Sequence, residues 1–299
     1  MPTASIDIGS NSLLLLVKGE GGEVLHDEAR VVGLGRGLGD RGLFRPDRMD
    51  ASAEVLREYA DVATSLGVAP DAVRAVATSA SRRALNAGTF FERVRKESGL
   101  VVRVISGEEE AQLTWLGACQ GLELPDGPVG VVDLGGGSTE IVLGERDVIT
   151  LRTSLEIGTV RLTDQHLDGG RGRTDPRALA RLKQHIEATV ATLQWPTYPR
   201  VLIAVAGTAT TLAAMELGQA TYDGAALHGF KLSRAALRKW IDLLLESDAE
   251  ERRALAAVSP DRADTLLAGA AVLDAVLSHA RRETLTISDG GLRHGLLAG

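Results

Sequence analysis

The sequence predicts an α/β protein built from two related halves, and three observations lead to this prediction. The chain has 299 residues, and one hydrophobic core rarely grows that large, so two domains are expected. Short apolar stretches with strand character alternate with longer segments whose apolar residues recur at helical spacing. The motif IDIGSNSLLLLV, which begins at Ile6, returns as VDLGGGSTEIVL from Val132. Each copy is typical of a strand, a tight turn and a second strand.

The individual elements follow from apolar spacing. Strands are predicted over 5–9, 12–19, 22–34, 72–78, 100–106, 128–135, 139–145, 147–158, 200–207 and 283–291. Helices are predicted over 45–67, 87–99, 106–121, 175–194 and 261–283, where apolar residues return every three or four positions. Pro46 and Pro176 suit the first turn of a helix, and Gly67 and Gly99 suit the residue after a last turn.

Composition argues against several classes of protein. The net charge of −7 argues against a nucleic-acid partner, and aromatic residues, at 3%, are too scarce for a base-stacking platform. The single cysteine, Cys119, permits no intrachain disulfide and is interpreted as a small buried residue. The N-terminus does not resemble a signal peptide, and no apolar run approaches the roughly 20 residues that span a bilayer. We therefore expect a cytoplasmic protein with no membrane partner.

Both copies of the repeated motif combine a glycine- and hydroxyl-rich turn with a carboxylate. The candidate phosphate-binding residues of the two turns are Gly9, Ser10, Asn11, Ser12, Gly135, Gly136, Gly137, Ser138 and Thr139. Successive backbone N–H groups in such turns bind phosphate oxygens. Asp7 and Asp133 would repel phosphate, so their position predicts a divalent cation, since Mg²⁺ binds one or two carboxylates together with substrate phosphates. Two facing loops of this kind would hold a phosphate chain between the domains.

These turns resemble the two phosphate motifs of the actin-like ATPase fold, and VAGTATTLAA at 205–214 resembles its third, nucleoside-side motif. The chain is most similar to the exopolyphosphatase / guanosine pentaphosphate phosphohydrolase family. The family motifs occur in order as DIGSNS, ATSASRRALN, SGEEEAQLTWLGA, DLGGGSTE, SLEIGTVRLT, RADTLLAGA and SDGGLRHGLL. The resemblance implies two ribonuclease-H-like domains with a cleft between them, over 1–120 and 121–290. The C-terminal helix at 291–299 is a candidate addition to the first domain.

The resemblance also implies roles for individual residues. The family motif places its catalytic glutamate directly before an alanine, which makes Glu110 the catalytic candidate. Glu109 cannot point the same way, because helical residues rotate by about 100° per position. Arg82, Gly207 and Thr208 are implied as further phosphate contacts. Glu140 is either a metal ligand through water or a hairpin residue bonded to the backbone, and the resemblance implies the role near the metal.

The implied activity is release of terminal phosphate from inorganic polyphosphate by Mg²⁺-dependent attack of water. Guanosine pentaphosphate hydrolysis uses the same chemistry, and the sequence does not separate the two substrates. A kinase of the same fold is disfavoured by the SGEEEA and RALN motifs. A non-catalytic sensor is disfavoured by the intact Asp7, Glu110 and Asp133. Because relatives often dimerise, a homodimer is a candidate assembly.

A glycine-rich segment over 30–48 carries five arginines and two aspartates. Relatives often have an arginine where Gly33 stands, so that contact is either lost here or taken by Arg30 or Arg36. The segment is interpreted either as an attractor for an anionic substrate or as a solvated loop.

Overall fold

The structure is a computed structural model, and it describes residues 1–38, 42–146, 148–170, 173–256 and 259–298. The chain divides into two compact units. The first unit comprises Met1–Gly117 and Leu292–Gly299, and the second comprises Ala118–Gly291. Across the described ranges, no helix combines the length and the apolar character that crossing a bilayer requires.

The first unit is built on a five-stranded sheet in the order β3-β2-β1-β4-β5. Its elements, in chain order, are β1 (Thr3–Ile8), β2 (Ser12–Lys18), β3 (Val24–Val31), α1 (Pro46–Ser65), β4 (Arg74–Ala77), α2 (Ser79–Arg83), α3 (Ala87–Ser98), β5 (Val102–Val104) and α4 (Gly107–Cys119). The first three strands pair antiparallel, and β1, β4 and β5 pair parallel.

The core of the first unit follows from the apolar content of the central strands. Ile6 and Leu15 are fully buried because the inner strands of such a sheet are covered on both faces. Helix α1 packs against β2. The hydroxyl of Tyr59 in α1 donates to the carbonyl of Leu13 in β2 at 3.0 Å. Helix α3 ends at Gly99, whose φ of 76° is the left-handed conformation that glycine adopts without strain.

The second unit is built on a six-stranded sheet in the order β10-β11-β9-β6-β7-β8. Its elements are β6 (Val129–Leu134), β7 (Thr139–Glu145), β8 (Val148–Leu155), α5 (Thr159–His166), α6 (Pro176–Val190), β9 (Val201–Val205), α7 (Ala206–Glu216), α8 (Gly224–Leu227), β10 (Lys231–Ser233), α9 (Arg234–Glu246), α10 (Ala249–Leu255), α11 (Ala263–His279) and β11 (Thr284–Ile287). A last helix, α12 (Leu292–Gly295), belongs to the first unit.

The two sheets share the same strand topology. In each, an antiparallel hairpin leads into a third antiparallel strand on one side, and two parallel strands follow on the other. The order β8-β7-β6-β9-β11 therefore repeats the order β3-β2-β1-β4-β5, with β10 added at the far edge. The predicted α/β class with two related halves is confirmed.

Several elements lie outside the predicted set, notably α5, α7, α9 and β10. Helix α7 shows no helical periodicity in its sequence because all seven residues from Thr208 to Ala214 are buried. Strand β10 has three residues, too few to show alternation, and it is held at the sheet edge by pairing with β11. Helix α9 begins after Ser233, whose hydroxyl accepts the amide of Ala236 at 3.1 Å.

Helix α12 packs within the first unit through polar and apolar contacts. Leu292 and Leu296 are buried with Val76 and Ile105. The Ser5 hydroxyl donates to the carbonyl of Arg293 at 2.7 Å. The fit is tight, because a Cβ added to Gly295 would lie 1.8 Å from the carbonyl oxygen of Leu113.

We expect Gly295→Ala to lower the free energy of unfolding by about 1–3 kcal/mol, because its methyl group has to displace backbone of α4. Gly88→Ala is the matched control, since a Cβ at Gly88 in α3 meets nothing within 4 Å. Chemical denaturation of both variants tests this. Equal stability of the two variants would contradict the described packing of α12.

Candidate active site

The turns of the two repeated hairpins are closed by the same backbone hydrogen bond. The amide of Gly9 donates to the carbonyl of Ser12 at 3.0 Å, and the amide of Gly135 donates to the carbonyl of Ser138 at 3.0 Å. A Cβ on either glycine would lie 3.1 Å from that carbonyl oxygen, so both turns favour glycine at this position. Asp7 and Asp133 precede the two turns by the same spacing, near the ends of β1 and β6.

The first turn is held in place by the loop that follows β3. The carbonyl of Asn11 accepts the amides of Val32 and Gly33, at 3.0 and 2.8 Å, and the carbonyl of Ser10 accepts the amide of Gly35 at 2.7 Å. A Cβ on Gly35 would lie 3.1 Å from the Cβ of Ser10 and 3.2 Å from the Cβ of Ala80 in α2. Helix α2 therefore lies beside the turn.

Three buried polar atoms in this region of the first unit make no hydrogen bond with the described residues. They are Asn11 Oδ1, Ser12 Oγ and Ser81 Oγ. Buried polar atoms without partners are uncommon in proteins and require an explanation. The two hydroxyl groups can donate to phosphate oxygens, and the amide oxygen can accept from water bound to a cation, so their chemistry suits the predicted ligand.

Helices α2 and α4 bring Arg82 and Glu110 together. Arg82 Nη1 donates to Glu110 Oε2 at 2.6 Å and to the carbonyl of Ile105 at 3.1 Å. Glu110 is only 6% exposed, and a buried carboxylate needs such a charged partner. The catalytic candidate and the phosphate candidate of the first unit are therefore direct neighbours.

Glu109, adjacent in sequence, has different surroundings. Its side chain is 40% exposed and forms a bidentate ion pair with Arg103, with both N–O distances at 2.7 Å. The hydrogen bond from Arg103 lowers the pKa of Glu109. Two consecutive glutamates thus occupy different environments, as the helical rotation between them requires.

The second turn is supported by the N-terminus of α5 rather than by a loop. The amide of Thr159 donates to the carbonyl of Gly135 at 3.0 Å, and the amides of Val160 and Arg161 donate to the carbonyl of Gly136 at 3.0 and 3.1 Å. Gly158 makes this approach possible, because a Cβ there would lie 2.5 Å from backbone atoms of Gly136.

Glu140 takes part in a buried hydrogen-bond network. Its Oε1 atom accepts the hydroxyls of Ser138 and Ser154, at 2.7 and 2.8 Å, and the residue is 2% exposed. Thr139 directs its hydroxyl to the carbonyl of Ile157. The hydroxyl protons of Ser138 and Thr139 are therefore used within the second unit, which leaves the backbone N–H group and the hydroxyl lone pairs of Ser138 as the candidate ligand contacts. A metal role for Glu140 stays a prediction.

Gly207 and Thr208 lie in the first turn of α7, next to the same region of α5. A Cβ on Gly269 of α11 would lie within 3.0 Å of both Thr208 and Thr159, so these two threonines meet over that glycine. Ala206 has a φ of 70°, a strained conformation for a residue with a side chain. The guanidinium of Arg262 lies against Gly207, a neighbour that the sequence analysis did not assign.

Each unit supplies one of the two predicted magnesium ligands, Asp7 in the first unit and Asp133 in the second. Asp7 and Asp133 are half-buried carboxylates, the ligand type that Mg²⁺ prefers. Among the described residues, no three His, Cys, Asp or Glu side chains converge into a metal-binding group. Phosphate and water oxygens would have to complete the coordination, as is usual for this ion.

Two other sequence interpretations concern side chains elsewhere in the chain. Arg30 forms ion pairs with Glu28 and Glu58, so it is not a free substitute for an arginine at position 33. The basic segment 30–48 includes residues 39–41, among them Arg41, which lie outside the described residues. Cys119, interpreted from the sequence as a small buried residue, is half-buried, and this burial raises the pKa of its thiol to about 11, which disfavours a nucleophile.

Comparison with known proteins places these motifs in a family. The profile of the Ppx/GppA phosphatase family matches residues 16–299. Exopolyphosphatase 2 of Mycobacterium tuberculosis is 35% identical over 311 residues, which covers 98% of this chain and 96% of the relative. Exopolyphosphatase 1 of Mycobacterium bovis is 30% identical and covers 98% of this chain and 86% of the relative.

Solved structures agree with this assignment. The Aquifex aeolicus member of the Ppx/GppA family is 35% identical, with a TM-score of 0.82 and coverage of 100% of this chain and 96% of the relative. An exopolyphosphatase from Cytophaga hutchinsonii is 27% identical, with a TM-score of 0.90 and coverage of 99% and 96%. The matching motifs, the repeated α/β architecture and these relatives lead to one conclusion: the chain belongs to the Ppx/GppA phosphatase family.

Proposed function

We propose that this protein is an exopolyphosphatase that releases the terminal orthophosphate of inorganic polyphosphate. The observation that carries the proposal is the pair formed by Glu110 and Arg82. A buried carboxylate that can accept a proton lies 2.6 Å from a guanidinium nitrogen that can bind phosphate oxygens. The relatives that cover nearly the whole chain are named exopolyphosphatases, which favours polyphosphate as the substrate.

In this proposal, Glu110 acts as the general base. It accepts a proton from a water molecule whose oxygen forms a bond to the terminal phosphorus, while the bond from that phosphorus to the bridging oxygen breaks. The shortened polyphosphate leaves with the bridging oxygen, and the proton on Glu110 returns to solvent. Glu110 suits this task because Arg82 and the burial of α4 fix its carboxylate in one orientation.

Arg82 holds Glu110 and can contact the substrate at the same time. Its Nη1 atom makes both of its hydrogen bonds, to Glu110 and to the carbonyl of Ile105. The edge formed by Nε and Nη2 makes no hydrogen bond with the described residues. A guanidinium edge of this kind matches two oxygens of one phosphate group.

Asp7 and Asp133 would hold Mg²⁺, and the backbone N–H groups of the two turns would bind phosphate oxygens. When bound, the ion would offset the negative charge of the phosphate groups that surround the reacting phosphorus. Glu140 supports the second turn through Ser138, whose hydroxyl it orients.

The proposal is tested by measuring the release of free phosphate from polyphosphate, guanosine pentaphosphate and ATP, each with and without Mg²⁺. We expect polyphosphate to be the preferred substrate and activity to require the metal. Preference for guanosine pentaphosphate would replace the proposed substrate and keep the chemistry. No phosphate release from any substrate would refute the enzymatic function.

We expect Glu110→Gln to lower the turnover number by about 10²–10⁴ while substrate binding persists, because the amide keeps the shape but accepts no proton. Glu109→Gln is the matched control, because the Glu109 side chain is 40% exposed and bound to Arg103. Steady-state kinetics on polyphosphate compare the two variants. Near-normal turnover of Glu110→Gln would remove Glu110 from the mechanism.

We expect Asp133→Asn to raise the Mg²⁺ concentration for half-maximal activity about tenfold, because one charged oxygen ligand is lost, and Asp7→Asn to raise it less. Asp71→Asn, at an exposed aspartate in the first unit, serves as the control. Magnesium titrations of phosphate release provide the measurement. If neither Asp133→Asn nor Asp7→Asn changes the titration, the two acids do not hold the ion.

A further inference from the structure

Arg161 in α5 has two buried donors that no described residue accepts. The atoms are Nε and Nη2, which are shielded from water and make no hydrogen bond. The third nitrogen, Nη1, binds Glu156 Oε2 at 2.6 Å. Burying charged donors without acceptors costs stability, so such an arrangement requires an explanation in the native protein.

The two atoms form one edge of the guanidinium group, and three other arginines in this protein show what that edge binds. Arg45, Arg95 and Arg293 each use Nε and Nη2 together to hold both oxygens of one carboxylate. The distances in these pairs run from 2.8 to 3.2 Å. The acceptor that suits the same edge of Arg161 is therefore an anion with two oxygens in one plane.

Arg161 is next to the second phosphate-binding turn. Its own amide donates to the carbonyl of Gly136 at 3.1 Å, and the adjacent Gly158 packs on the backbone of Gly136 and Gly137. The motif SLEIGTVRLT, which contains Arg161, is not otherwise used in the proposed chemistry. A phosphate group at this turn is the anion that the position predicts.

We propose that Arg161 is a phosphate-binding residue, whose Nε–Nη2 edge binds two oxygens of a substrate phosphate held at the turn Gly135–Ser138. Glu156 anchors the guanidinium through Nη1 during this exchange. Since Nε and Nη2 are shielded from water, the side chain has to turn toward the phosphate as it arrives. This inference rests on the proposed function for the identity of the substrate, but not for the binding of phosphate itself.

A purely structural arginine would behave differently from a ligand-binding one. If Arg161 stabilises the fold, its replacement lowers the unfolding temperature under all conditions. If Arg161 is kept for phosphate, Arg161→Gln removes two buried donors that lack acceptors, so the unfolding temperature without phosphate stays equal or rises. The rise in unfolding temperature that phosphate causes in the wild type should then be largely lost.

The experiment compares wild type, Arg161→Gln, Arg161→Lys and the control Arg152→Gln. Inorganic phosphate is the probe, because the protein cannot hydrolyse it, and its dissociation constant is measured by calorimetry beside thermal unfolding. We expect Arg161→Gln to weaken phosphate binding about ten- to hundredfold. Arg161→Lys should weaken it less, because lysine keeps the charge but not the two-donor edge. Arg152→Gln should stay within about threefold, since Arg152 is an exposed arginine of β8.

Wild-type phosphate affinity in both Arg161 variants would overturn the proposal. So would a lower unfolding temperature with unchanged phosphate affinity. If Arg161→Gln does not fold, Arg161→Lys decides by the same criterion. Activity on polyphosphate is measured separately. If the wild type does not hydrolyse polyphosphate, the proposed function is refuted. If Arg161→Gln nevertheless binds phosphate more weakly than the wild type, the role of Arg161 in phosphate binding is still supported.

Discussion

One backbone hydrogen bond, from a glycine amide to a serine carbonyl three residues later, fixes the turn around which the candidate contacts of each unit are arranged. In both turns a Cβ on the glycine would lie only 3.1 Å from the carbonyl oxygen that the glycine amide binds, so no other residue fits as well. The bond sets where β1 and β6 end, and therefore where Asp7 and Asp133 stand. The other candidate phosphate and metal contacts are arranged around these turns.

The same turn is supported in two different ways. A loop after β3 donates its amides to the first turn, whereas the first turn of α5 donates its amides to the second. The support from α5 couples the second turn to the packing of that helix on α11, where Thr159 and Thr208 meet over Gly269. The two hairpins thus share the geometry of their turns but differ in what supports them, and Arg161 lies next to the second turn.

The protein has a net charge of −7, yet its proposed substrate is a polyanion. Net charge governs long-range attraction, but binding is decided by the donors within hydrogen-bond reach. In each unit the proposed donors are backbone N–H groups of a turn together with an arginine, Arg82 in the first and Arg161 in the second. Each of these arginines is paired with a glutamate through its Nη1 atom, Arg82 with Glu110 and Arg161 with Glu156.

The sequence by itself determined the two related α/β halves and their hairpins, because period-two and helical apolar spacing and glycine positions are local properties of the chain. It also required Glu109 and Glu110 to point apart. Tertiary structure decided which of them is buried, since Arg82 and Arg103 reach α4 from other elements. It likewise decided that Glu140 binds two serine hydroxyls, because Ser154 lies on the neighbouring strand β8. Only the tertiary structure identified α7 as a helix, because its residues are buried on all sides and therefore leave no helical period in the sequence.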